Sequence, residues 1–217
     1  WEGSDYIPQH KIDWKSPYYR AAGTGFGEIG LSFARKLKYR YGNLLAGSFT
    51  LNALLGMDGI YINNSKMDYR FEDQTLLIVK DINMEYGHAL PQDGQSNFFK
   101  TRGFGVGASV GVQYLYRYNS QAYKPGMGGT RMKKYIYKVG VSIIDIGYTK
   151  YKGNARTYQF RNASAVWPGF DTSKISGVDN ADITFSQKFF GNDTESQKGN
   201  AFTIFSPMGV SAQVDVS

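Results

Sequence analysis

One stretch constrains this chain more than any other: RGFGVGASVGVQYLYRYNS, from Arg102 to Ser120. Phe104, Val106, Ala108, Val110, Val112, Tyr114, Tyr116 and Tyr118 occupy every second position. Gly105, Gly107, Ser109, Gly111, Gln113, Leu115 and Arg117 lie between them. Successive side chains of a β-strand point to opposite faces, so the pattern writes an apolar stripe onto one face and a small, polar stripe onto the other. The stripe, over 103–118, is far longer than the 5–6 residues or so of an ordinary soluble strand. It exceeds the roughly 9–11 tilted residues that cross a bilayer.

The same alternation recurs four times. In Gly25 to Tyr39, Ile29, Leu31, Phe33, Leu37 and Tyr39 oppose Glu28, Gly30, Ser32, Ala34, Lys36 and Lys38. A short turn, Tyr41-Gly42-Asn43, leads into a strand whose Leu45, Gly47, Phe49, Leu51, Ala53 and Leu55 share a face. Gly and Asn readily supply the positive φ of such a turn. From Tyr135, the residues Tyr135, Tyr137, Val139, Val141 and Ile143 alternate with Lys138, Gly140 and Ser142. The alternation slips at Ile143-Ile144-Asp145-Ile146-Gly147, which predicts a bulge or bend. A last strand begins near Met208, with Val210, Ala212, Val214 and Val216 on one face. Helical periodicity is nearly absent. The expected fold is all-β, an antiparallel sheet of the transmembrane-barrel type. The chain reads as a single barrel domain over 1–217, a portion of a larger barrel, incomplete at both ends.

Between the core strands lie two long polar regions, read as extracellular loops at about 59–102 and 147–207. The first carries a hairpin of its own, with strand pieces at 60–63 and 75–86. The second carries strand fragments near 182–190 and 201–205. The connections at 41–43 and 119–134 are read as periplasmic, since such barrels have short periplasmic turns and longer outer loops.

The lipid-facing set on this reading is Ile29, Leu31, Phe33, Phe49, Leu51, Phe104, Val106, Val110, Val112, Val139, Val141 and Ile143. Tyr39, Tyr41, Tyr114, Tyr116, Tyr118, Tyr135 and Tyr137 gather at corresponding strand ends and form an aromatic girdle. A phenol suits an interface because its ring is apolar and its hydroxyl seeks water. The alternative is a soluble or cell-surface β-sandwich, a binding or adhesion module, which alternates for the same reason.

Composition narrows the chemistry. The 217 residues include no cysteine, which excludes a disulfide scaffold and cysteine-ligated metal. No run of 18 apolar residues exists, so no helix crosses a membrane; barrel strands escape that test because they alternate. The net charge is +7, but Lys and Arg are scattered, so nucleic acid is not expected. Arg35, Lys36, Lys38 and Arg40 cluster near the first turn, where lipid head groups or solvent suffice.

Catalytic and metal motifs are weak. His10 and His88 are the two histidines, and no serine in a nucleophile-elbow pattern stands beside either. Asp179, Asn180 and Asp182, and then Asn192, Asp193 and Glu195, are oxygen-rich but lack the spacing of a calcium loop. GTGFG at 23–27 and RGFGVG at 102–107 lack the following helix that a phosphate cradle needs. No catalytic residue, cofactor or metal is expected.

With RGFGVGASVGVQYLYR (102–117) before YIYKVGVSIIDIGYTKYK (135–152), and GEIGLSFARKL earlier, the sequence resembles a Bacteroidota family of outer-membrane β-barrels of unknown function. That family is itself similar to fatty-acid-transporter-like and type IX secretion-associated porin-like barrels. The resemblance covers roughly 25–152. It implies residence in the outer membrane of a Gram-negative bacterium and a non-enzymatic role, as a porin-like or transport protein or as a subunit of an outer-membrane complex. The expected partners are outer-membrane lipid and other outer-membrane or periplasmic proteins.

Overall fold

Long alternating runs give long strands. A computed structural model describes residues 11–40, 43–91, 100–117, 135–170 and 177–216. In chain order these form β1 (Asp13–Ser16), β2 (Tyr19–Arg40), β3 (Asn43–Phe71), β4 (Leu76–Ala89), β5 (Gly103–Tyr116), β6 (Tyr137–Tyr151) and β7 (Ala155–Pro168). Then come α1 (Val178–Phe190), β8 (Gln197–Gly199), β9 (Phe202–Phe205) and β10 (Gly209–Val216). The architecture is all-β, with antiparallel pairing throughout the registers seen. The chain divides into two compact units, one of 1–25, 57–103 and 150–204, the other of 26–56, 104–149 and 205–217.

The second unit holds the five core strands expected from the alternation. Its neighbours run β10-β6-β5-β3-β2. β10 and β6 pair without a shift from Gly209↔Ile144 to Val216↔Tyr137. Beyond that pairing, Asp145 takes a left-handed backbone, φ 60, and donates its N–H to Ser109 Oγ at 3.1 Å. The bulge expected at 143–147 is therefore present, and it leaves Ile143, Ile144 and Ile146 all exposed.

The first unit corrects the sequence reading. The described part of 59–102 is mostly strand rather than loop. β3 continues through it to Phe71, turns at 72–75, and β4 returns from Gly59↔Ala89 to Phe71↔Leu77 in register. The hairpin expected inside that region is real, but its strands are long. The turn is held by Asp73, whose Oδ1 accepts from the Thr75 and Leu76 amides at 2.7 and 2.9 Å, an Asx-turn arrangement. The described part of 147–207 is likewise mostly strand and helix. β6 runs on to Tyr151, and β7, a strand of 14 residues, pairs along β4. The stretch 182–190 lies in the helix α1 rather than a strand, whereas 202–205 is the strand β9.

β4 and β7 lay Leu77, Val79, Ile82, Met84 and Tyr86 opposite Trp167, Ala165, Ala163, Phe160 and Tyr158. Both strands are irregular midway, where Asn83 and Asn162 exchange hydrogen bonds and Asn162 adopts φ 47. α1 covers this face. Phe185 meets Trp167 edge-on at 5.8 Å, and Phe189 and Phe190 meet Phe160 at 5.2 and 5.7 Å. Such pairs contribute about 0.5–1.5 kcal/mol each beyond the area they bury. A second small core gathers Ala89, Tyr151, Ala155, Phe202 and Ile204.

Candidate functional surface

In the second unit the expected lipid-facing residues share one uncovered apolar face. Leu31 is 82% exposed, and Ile29, Phe33, Phe49, Leu51, Phe104, Val106, Val110, Val112, Val141 and Ile143 are exposed with it. Val139 is half-buried. Residues absent from the expected set extend the surface: Leu37, Phe205, Met208, Val210, Val214 and Val216, with Val210 at 71%. An apolar residue that faces water gives up about 25 cal/mol per Å² that burial would return. Surface of this extent and continuity is what membrane and partner interfaces present.

The opposite face of the same strands is small and polar. Ala34, Ser48, Gln113, Ser142, Ser211 and Gln213 line a shallow depression of about 310 Å³. Ser32 and Thr50 join by a hydroxyl–hydroxyl hydrogen bond of 2.9 Å. Glycine is demanded at Gly105, where a β-carbon would stand 2.0 Å from the Tyr148 carbonyl oxygen.

The tyrosines divide. Tyr39 is exposed. Tyr116 stacks on Tyr137 at 5.0 Å, and Tyr114 lies 6.3 Å from Tyr137. Tyr135 donates its hydroxyl to Asp215, with Lys138 over its ring at 5.6 Å. Five of the seven expected girdle positions therefore sit near the β5–β6 and β2–β3 strand ends. Tyr41 and Tyr118 lie outside the described residues.

The first unit holds a polar cluster that the sequence did not disclose. Asp182 of α1 is 2% exposed. Its Oδ1 accepts from the Tyr86 hydroxyl at 2.9 Å, and its Oδ2 lies 2.8 Å from Nε2 of the buried His88. Arg156 donates to Asp179 in the first turn of α1 at 2.8 Å. Burial and the Asp182 charge push the Tyr86 phenol well above its ordinary range. Burial, with hydrogen bonding to Asp182, pushes Tyr158 up to about 12. The arrangement clamps the helix to the sheet. His88 Nδ1 has no protein partner among the described residues, and the cluster brings in no nucleophile. His10 lies outside the described residues.

The acid-rich stretches spend their oxygens locally. Asn180 accepts from Thr184, and Asn192 Oδ1 accepts from the Thr194 and Glu195 amides. Among the described residues no three His, Cys, Asp or Glu side chains group as metal ligands. The glycines of RGFGVG also have a structural reason. Tyr151 packs against Gly103 and Gly59, where a β-carbon would come within 2.8 Å of its ring at either position. Beside them the buried Arg102 donates to the Met57 carbonyl and to Asp58, each at 2.8 Å.

An antiparallel all-β chain with one uncovered apolar face and one small, polar face belongs to the class that includes β-barrel walls. Its particular family is shown by sequence. The model of a family of unknown function, DUF5723, matches residues 1–217, and the chain belongs to that family. A search of curated proteins found no match.

Proposed function

We propose that the second unit is a wall segment of a non-enzymatic outer-membrane β-barrel of a Gram-negative bacterium, porin-like or transport-related, or a subunit of an outer-membrane complex. One observation carries the reading: the apolar face from Ile29 to Val216 is continuous and uncovered, and its reverse is small and polar. In a soluble sandwich a second sheet would pack on that face about 10 Å away. Dimensions agree. β5 has 14 residues, which at about 3.3 Å per residue and a tilt near 45° rise roughly 33 Å, close to the thickness of a hydrocarbon core. The stacked tyrosines fit an interface at one end of those strands. The Gram-negative part of the proposal rests on the resemblance to the Bacteroidota barrels noted above.

The membrane-spanning segments on this reading are those of the second unit alone. Among the described residues β2 hydrogen-bonds to β3 on one edge, and β10 to β6 on one edge. A free strand edge in lipid costs several kcal/mol per unsatisfied group. Further strands therefore complete the wall at β2 and β10.

Flotation of the folded chain with phospholipid vesicles tests the proposal. The account expects co-flotation that survives high salt and carbonate, together with migration on a gel that changes on boiling. A chain that stays monodisperse in the aqueous fraction without detergent contradicts it.

A further inference from the structure

The first unit forms a partly open cavity of about 740 Å³ that neither the proposed wall nor the helix clamp uses. Ile60 and Ile62 of β3, Val79 and Met84 of β4, Trp167 of β7 and Phe185 of α1 form much of its lining. Its volume lies inside the roughly 300–1,000 Å³ of small-molecule sites, which are mostly apolar with few polar groups. At the packing density of protein interiors, about 0.74, it accommodates a molecule of roughly 550 Å³ van der Waals volume.

The apolar, uncharged lining selects the ligand. Among the described residues no lining residue carries a charge. Two tyrosines reach it, and both hydroxyl protons are committed: Tyr61 donates to Glu85 at 2.7 Å, and Tyr86 donates to Asp182 at 2.9 Å. The lining therefore offers a ligand an almost wholly apolar surface, with no tyrosine proton free to donate. Glu85 is partly offset by Lys198 at 3.5 Å, but that ammonium does not line the cavity. Lys188 lies over the Trp167 ring and does not line it either. An anion entering here would give up part of its hydration and gain no cation among the described residues, so it binds more weakly than its neutral analogue.

We propose that this cavity is a binding site for a neutral, predominantly apolar small molecule and rejects its anionic analogues. The lining residues all belong to the first unit, so the site stands whether or not the second unit meets lipid.

The test uses two dyes that share one ring skeleton, N-phenyl-1-naphthylamine, which is neutral, and 1-anilinonaphthalene-8-sulfonate, which is anionic. The full chain with Trp1→Phe and Trp14→Phe, in nanodiscs, leaves Trp167 as the one energy donor. The proposal expects saturable energy transfer from Trp167 to the neutral dye above the empty-disc baseline, with the sulfonate binding at least tenfold more weakly. Ala21→Trp, on an exposed stretch of β2 that borders the cavity, and Ile62→Trp, from β3, should each reduce neutral-dye affinity at least tenfold. Because these variants add a tryptophan, their binding is read from dye emission excited directly, with folding checked by circular dichroism. Neutral-dye binding no greater than in empty discs overturns the proposal. So does equal affinity for the sulfonate, or undiminished binding in a folded variant of either kind.

Discussion

At the residue scale, the strongest chemistry in the first unit is structural. Asp182 ties α1 to the sheet by accepting from Tyr86 and engaging His88 in surroundings closed to water. The Tyr158 phenol, raised to about 12, makes this testable. Its folded pKa lies above the unfolded value near 10, so its contribution to stability is complete below pH 10 and is lost as pH rises through 12. A difference titration at 295 nm between the parent chain and Tyr158→Phe should show one phenol ionising near pH 12. A missing group that ionises near pH 10 would contradict the assignment. In Asp182→Asn the same phenol should ionise at lower pH, since the carboxylate that opposes phenolate is gone. None of this was legible in sequence. Asp182 stands between Ala181 and Ile183 in a polar region, and only the fold brings it to His88, 94 residues away.

At the scale of elements, alternation disclosed the strands of the second unit and failed for β7 and α1. In β7 the left-handed Asn162 resets the period, so Tyr158 and Phe160 share a face with Ala163, Ala165 and Trp167. The Gly153-Asn154 pair before it was a usable hairpin signal, and Asn154 does take φ 49. In α1 the buried stripe is Asp182, Phe185, Ser186, Phe189 and Phe190, at helical spacing but with two polar members. Ile183 and Phe185 alternate with polar neighbours and imitate a strand, although Ile183 points to solvent. The β5–β6 pair carries its own prediction. Gly105→Ala would place a β-carbon 2.0 Å from the Tyr148 oxygen and 2.8 Å from the Thr149 Cα. Overpacking of this kind costs about 1–3 kcal/mol, and the backbone contact puts it at the upper end. Gly140→Ala, whose nearest neighbour would be the Val112 oxygen at 3.9 Å, should change little. Urea unfolding from vesicles measures both, and equal effects would refute the close approach.

At the scale of the whole molecule, the two units divide the work. One carries buried aromatic cores and a cavity, and the other an uncovered apolar face. β2 and β3 run through both, with 22 and 29 residues, and the irregular, polar part of β3 from residue 59 onward reads as loop. The apolar positions from 29 to 55 and 104 to 143 were legible because one face of each strand is uniform. Those of β10 were visible as alternation, but their place beside β6 follows only from the pairing. If the face meets acyl chains, Leu31→Arg should cost about 2–4 kcal/mol of folding stability in vesicles, while Ala34→Arg, on the reverse face of β2, should cost far less. A reversed order would show the faces assigned the wrong way round.

The most direct measurement exploits the absence of cysteine from the chain. Single cysteines placed in turn at Ile29, Leu31, Phe33, Val110 and Val112, and at Ser32, Ala34 and Gln113, can each carry a spin label in lipid nanodiscs. Collisions with dissolved oxygen report lipid, and collisions with a water-soluble nickel chelate report water. The account predicts oxygen maxima at the first five positions and nickel maxima at the other three, alternating along each strand. Nickel accessibility at Leu31 and Val110 equal to that at Ala34 and Gln113 would contradict the central claim that this face is solvated by lipid.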